Sequence, residues 1–74
     1  MERKGISTKM QNRMKQYIGK TYQYRDLWKV TVKEPMGDTG YYVTEVSDGE
    51  KTWQSNASYG EIMRNLKKGI FVES

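Results

Sequence analysis

The 74 residues include no cysteine and no histidine. Their absence excludes disulfides, the usual zinc sites, Ser-His-Asp and Cys-His catalysis, and imidazole acid–base chemistry. The Asp and Glu residues do not fall at the alternating spacing of a calcium loop. No phosphate-binding G-x-x-x-x-G-K-[ST] run and no dinucleotide fingerprint occur. Proline and phenylalanine appear once each, and the mean hydropathy is -0.95. Apolar runs are only a few residues long, so neither a signal peptide nor a membrane span is expected. Together with the lack of cysteine, this leads to the expectation of a soluble protein in a reducing cytoplasm. A carboxylate pair drawn from Asp26, Glu34, Asp38, Glu45, Asp48 and Glu50 is the one catalytic option left. Several of these lie in turns, where charge is ordinarily just solvated, so no enzyme and no cofactor are expected.

A chain this short is one small core, worth about 3–5 kcal/mol of net stability. Without disulfides or metal, self-association is the support that remains, and a homo-oligomer is expected. The net charge is +4 with a pI of about 9.4. It is concentrated in residues 1–20, where Arg3, Lys4, Lys9, Arg13, Lys15 and Lys20 stand against Glu2 alone. A basic arm favours anionic partners such as nucleic acid, a nucleotide or an acidic protein face.

Trp28 to Glu34 is the organising stretch. Trp28, Val30 and Val32 alternate with Lys29, Thr31 and Lys33, the period-2 pattern of a strand with one dry and one wet face. Upstream, Ser7 or Thr8 suits a helix N-cap, and Met10, Met14, Tyr17 and Ile18 make a narrow apolar stripe, so a helix is expected over residues 8–18, closed by Gly19. This methionine-rich helix would dock on its own chain, on a second subunit, or in a nucleic-acid groove. Thr21 to Arg25 reads as a strand, Asp26-Leu27 as a turn, and Pro35 to Gly40 as a loop. Tyr41 to Val46 is a third strand, whose Val43 and Val46 both ask for burial and so call for a bulge. Asp48-Gly49 reads as a tight hairpin turn with both residues at positive φ, and Lys51 to Ser55 as the returning strand. Ser58-Tyr59-Gly60-Glu61 fits a capping box opening a helix over 58–68, with Tyr59, Ile62, Met63 and Leu66 inward and Gly69 at its end. Ile70-Phe71-Val72 is the closing strand.

The expected fold is α+β: a small, strongly bent antiparallel sheet or five-stranded barrel. Residues 1–20 would be a basic tail and amphipathic helix, and 21–74 the barrel. Val30, Val32, Val43, Val46, Trp28, Ile62, Leu66, Ile70 and Phe71 would fill the core. An open sheet with both helices on one face is the alternative. The run from Tyr41 through Ser47-Asp48-Gly49-Glu50 and the Ser58-headed helix to Leu66-Lys67-Lys68-Gly69-Ile70-Phe71-Val72 resembles small phage-type accessory proteins with a Src-homology-like barrel. The resemblance implies a protein that acts on host machinery by binding, inside the host cell.

Six tyrosines and two tryptophans against one phenylalanine favour half-exposed rings. Tyr22, Tyr24, Arg25, Lys29, Lys33 and Trp53 form the expected ligand site, with Lys9, Arg13, Lys15 and Lys20 as the basic arm. Bases would stack on the rings while the cations neutralise phosphate. The leading expectation is therefore a non-enzymatic binder of a nucleotide or nucleic acid. The rivals are an inhibitor of a host enzyme or defence protein, docking through the arm or an edge strand, and a structural subunit of a larger assembly. The competing reading places Trp28 and Trp53 in the core, which is the favoured placement for Trp28, and has the tyrosines frame the barrel rim, a reading that weighs about evenly for Tyr22 and Tyr24.

Overall fold

A computed structural model describes residues 7–74. The elements are α1 (Thr8–Met14), a 3-10 turn (Lys15–Tyr17), β1 (Thr21–Tyr24), β2 (Trp28–Pro35), β3 (Tyr41–Ser47), β4 (Thr52–Ser58), α2 (Tyr59–Lys67) and β5 (Phe71–Glu73). The five strands form one antiparallel sheet in the order β4-β3-β2-β1-β5. β4 and β5 are its two edges, so the open-sheet alternative describes the molecule.

The register explains the core. Tyr22 pairs with Val30, Val30 with Val46 and Val46 with Trp53, while Val32 pairs with Thr44 and Tyr42 with Ala57. Since side chains alternate across a strand, these residues share one face. Tyr22, Val30, Val32, Tyr42, Val46, Ala57 and Phe71 are buried there against Met14 of α1 and Ile62 of α2. Both helices therefore cover the same side of the sheet, and the opposite side is left to Gln23, Lys29, Thr31, Glu45 and Gln54.

Several expectations are corrected. β3 alternates regularly, with Tyr42, Thr44 and Val46 inward and Val43 only half-buried on the other face. The irregularity falls on β2 instead, between Val32 and Glu34, and Lys33 is the residue without a partner in the ladder. Pro35 does not break β2 but ends it opposite Tyr42. Met36 N–H bonds the Tyr41 carbonyl at 2.8 Å. By alternation the nitrogen of Pro35 points away from β3, beyond the end of β1, where no ladder bond is lost. Leu66 and Ile70 pack on the core only partly buried, and Met63 faces solvent. Arg25 is not in β1. It lies at φ 54 in the turn to β2, the one non-glycine at positive φ among the described residues.

The β3–β4 turn is centred one residue later than expected. Asp48 N–H bonds the Lys51 carbonyl, so Gly49 and Glu50 are the central pair, and Gly49 alone takes positive φ, at 98°. The Asp48 carboxylate accepts N–H bonds from Lys51 and Glu50 at 2.8 and 2.9 Å, which hold it below the ordinary carboxylate range.

Ser7 rather than Thr8 caps the first helix, and Ser58 caps the second. Ser7 accepts from Met10 N–H and Ser58 from Glu61 N–H, at 3.2 and 3.0 Å. α2 ends in a Schellman arrangement, with Ile70 N–H to the Asn65 carbonyl, Gly69 N–H to the Leu66 carbonyl, and Gly69 at φ 78. Replacing Ser58 with alanine is expected to cost about 1 kcal/mol, seen as a lower urea midpoint at unchanged slope, while Ser58→Asp holds near the parent value.

Candidate functional site

α2 runs from one sheet edge toward the other but leaves part of the inward face uncovered. There an open groove of about 420 Å³ lies between the sheet and α2. One wall is aromatic. Tyr24 stacks on Trp28 with centroids 5.4 Å apart and planes 11° apart, and Trp28 meets Trp53 edge-on at 5.8 Å. The ladder dictates this row, because Tyr24 is the direct partner of Trp28. Trp53 lies opposite Val46, the partner of Val30, two residues further along the same face. Phe71 closes the row against Tyr24 at 5.8 Å. The other wall is polar: Glu61 and Asn65, one turn apart on α2, together with Ser55 and Asn56 of β4.

Trp28 follows the dry-face pattern yet is 37% exposed, and Trp53 38%. Trp28 begins its strand and Trp53 lies on the edge strand, so neither is sealed beneath α2. Arg25 stands over the Tyr24 ring, its guanidinium carbon 5.8 Å from the centroid. Its left-handed backbone is a strained conformation for a residue with a Cβ. It is maintained where Arg25 N–H bonds the Ile70 carbonyl and Leu27 N–H the Tyr24 carbonyl, both at 3.1 Å.

The expected site is thus divided. Tyr24 and Trp53 come together at the groove, joined by Trp28, and Arg25 stands over the Tyr24 ring outside the groove lining. Tyr22 does not belong to it. It is 2% exposed and stacks on Phe71 at 5.5 Å, so its ring is closed to any ligand. Lys29 and Lys33 are on the opposite face, Lys29 because it pairs with Gln23 and Ser47 there. Lys33 is brought to Glu45 at 3.5 Å beside the bulge. A larger open hollow of about 490 Å³ lies around that pair. Its one lysine faces a carboxylate, Glu45, and Trp53 is its only ring, so it offers less aromatic surface than the groove. Glu61 and Asn65 went unnoticed because Glu61 was fully accounted for by the cap. Their i, i+4 spacing was the available signal.

The basic arm docks on its own chain. Met14 is 1% exposed, and the Tyr42 hydroxyl donates to the Met14 carbonyl at 2.7 Å. Tyr17 packs between Tyr42 and Tyr59, with centroids 6.5 and 5.8 Å away. Lys20 bonds Glu73 of β5 at 3.0 Å. Lys9, Arg13 and Lys15 are exposed on the outside of this segment, away from the aromatic groove lining. Arg3 and Lys4 lie outside the described residues.

Burial shifts the core phenols. Tyr22 is pushed up to about 12 from 10.0, first by burial, then by Glu73 and Tyr17. Tyr42 is raised further, again mainly by burial, with Tyr17, Tyr59 and Tyr22 adding to it. A raised phenol binds its proton more tightly in the folded state. Its contribution is whole below pH 10, where the unfolded phenol is also protonated, and is lost as pH climbs through 12. One unit corresponds to about 1.4 kcal/mol, so Tyr22 alone removes on the order of 2–3 kcal/mol. Thermal melts from pH 8 to 12 are expected to be flat and then fall steeply from about pH 10.

Among the described residues no three carboxylates gather into a metal cradle, and no helix is long and apolar enough to cross a membrane. No family model matches the chain, and neither a curated protein nor a solved structure is similar to it.

Proposed function

We propose that this chain is a non-enzymatic binding protein that takes a nucleotide-type ligand into the groove beneath α2. The base lies against Trp28 and Trp53, and the phosphate turns toward Arg25 at the rim. The observation that carries this reading is the row Tyr24–Trp28–Trp53 with a guanidinium over its first ring. Flat half-exposed rings beside a cation are what stacking and phosphate neutralisation require. Glu61 and Asn65 add an acceptor and an amide on the facing wall, which favours a base whose edge carries N–H donors. With Lys29 and Lys33 on the far face, charge plays a smaller part than the composition implied, and a short ligand suits the groove better than a long strand.

A barrel-like bend belongs to the same reading: β2 is irregular between Val32 and Glu34, and a bulge bends the strand that carries it. The likeness to small phage-type accessory proteins fits a protein that works by capture.

Both tryptophans of the chain line the groove, so intrinsic fluorescence reports on it directly. Titration with purine and pyrimidine mononucleotides and a short single strand at low salt should quench and shift the emission with saturation. No change with any of them would remove this reading. Capture of a host protein that persists at high salt would replace it with the inhibitor reading, since phosphate-led binding weakens steeply with salt.

A further inference from the structure

The two edges of the sheet are unlike. β5 is three residues long and carries Glu73, whereas β4 has seven residues, Thr52–Ser58, with no charge and no proline. Short, charged or proline-bearing edges resist pairing with another chain, and β4 has none of these devices.

Its free hydrogen-bonding groups can be assigned. Asp48 N–H bonds the Lys51 carbonyl at one end of the β3–β4 ladder, and Tyr59 N–H the Gly40 carbonyl at the other. Both pairs share the ladder's register. Alternation between them makes Trp53, Ser55 and Ala57 the residues bonded to β3. The N–H and C=O groups of Thr52, Gln54 and Asn56 therefore point outward along the edge.

We propose that β4 pairs antiparallel with β4 of a second copy of this chain, about a two-fold axis at Ser55, joining two sheets into one. A two-fold axis sets identical residues against each other, so a charge near it would face its own copy and repel. Serine at the axis is small and can both donate and accept. In this register Gln54 exchanges backbone bonds with the partner's Asn56, and the large ring of Trp53 faces the small side chain of the partner's Ala57. Trp53 has no strand beyond it in the monomer and is 38% exposed; the second copy covers it. The antiparallel arrangement sets Lys51 opposite the partner's Tyr59, where α2 begins and the pairing ends. Because the axis is perpendicular to the sheet, both grooves open on the same side and meet as one trough, with an aromatic row from each copy. The pairing stands on the edge alone; only the joint trough as a ligand site rests on the function proposed above.

Light scattering and native mass spectrometry of the full chain test it. The parent is expected to dimerise in a concentration-dependent way without any ligand. Gln54→Pro removes an outward N–H and leaves the β3 ladder whole; it should remain folded by circular dichroism and raise the dimer dissociation constant more than about tenfold. Ser55→Cys introduces the chain's only thiol. Paired residues without mutual hydrogen bonds sit about 4.5 Å apart at Cα, within disulfide range, so mild oxidation should link two chains rapidly, far faster than in Lys29→Cys in mid-sheet. A parent that is monomeric at every concentration overturns the proposal, as does a dimer that survives Gln54→Pro. Should Gln54→Pro fail to fold, the cysteine pair decides: equal crosslinking at 55 and 29 overturns it. The fluorescence titration is independent, so a monomer that binds nucleotide refutes the dimer alone, and a dimer that binds none refutes the ligand alone.

Discussion

Tyr42→Ala is expected to leave the chain largely unfolded at room temperature. Tyr42 has no exposed surface and is among the largest fully buried side chains. Removing a buried aromatic ring costs about 3–5 kcal/mol, which equals the whole stability expected of a core this size, about 3–5 kcal/mol. The ring also joins the elements. It sits near the start of β3, pairs with Ala57 of β4, meets Tyr17 edge-on, and donates its hydroxyl to the Met14 carbonyl. That carbonyl is at the end of α1, where helical partners run out. Tyr42→Phe separates the two contributions. It keeps the ring and leaves one buried acceptor unpaired, for a loss of about 1–3 kcal/mol. Urea unfolding followed by circular dichroism should show a lowered midpoint for the phenylalanine variant and no folded baseline for alanine. A folded, cooperative Tyr42→Ala protein would show that the N-terminal segment is not anchored through this ring.

Trp28→Ala is expected to weaken nucleotide binding by about 1–3 kcal/mol, or roughly 5- to 150-fold in the dissociation constant. Trp28 is the better probe because Trp53 lies on the edge strand and also bears on self-association. The comparison that matters is with the lysines. Lys29→Ala and Lys33→Ala together should change affinity less than about threefold, since Lys29 faces the other side and Lys33 is engaged with Glu45. Arg25→Gln should lie between, lowering affinity and flattening its salt dependence. Calorimetry on the three variants, or fluorescence through the remaining Trp53, reads the order directly. If the lysine pair matters more than Trp28, the binding face is the outer one and the groove reading fails.

Local signals were legible in the residues. The caps at Ser7 and Ser58, the glycine stop at Gly69 and the alternation of β2 are short-range features. They depend on one or two turns of chain and on which backbone groups would otherwise go unpaired. The α+β class and the element order followed from them. The bulge was foreseen as a need but put on the wrong strand. Val43 was read as a core residue from its type, while burial depended on whether β3 kept its alternation. It did so because β2 absorbed the extra residue at Lys33.

The site was harder to read for the same kind of reason. Composition marked tyrosine, tryptophan and surplus cations, but stacking on a strand depends on its face and on what covers that face. Tyr22 and Tyr24 occupy the same side of β1, two residues apart, and one is sealed in the core while the other reaches the groove. Tyr22 is stacked on Phe71 beside Tyr17, whereas Tyr24 is stacked on Trp28 at the groove. By itself the amino-acid order determined where chain segments start, stop and alternate, because those preferences are written in backbone sterics and local hydrogen bonds. The tertiary structure alone decided which rings remain half-open, which lysines point away from them, and which strand is left as an uncharged edge. Those outcomes come from pairing register and helix placement, which join residues far apart in the chain.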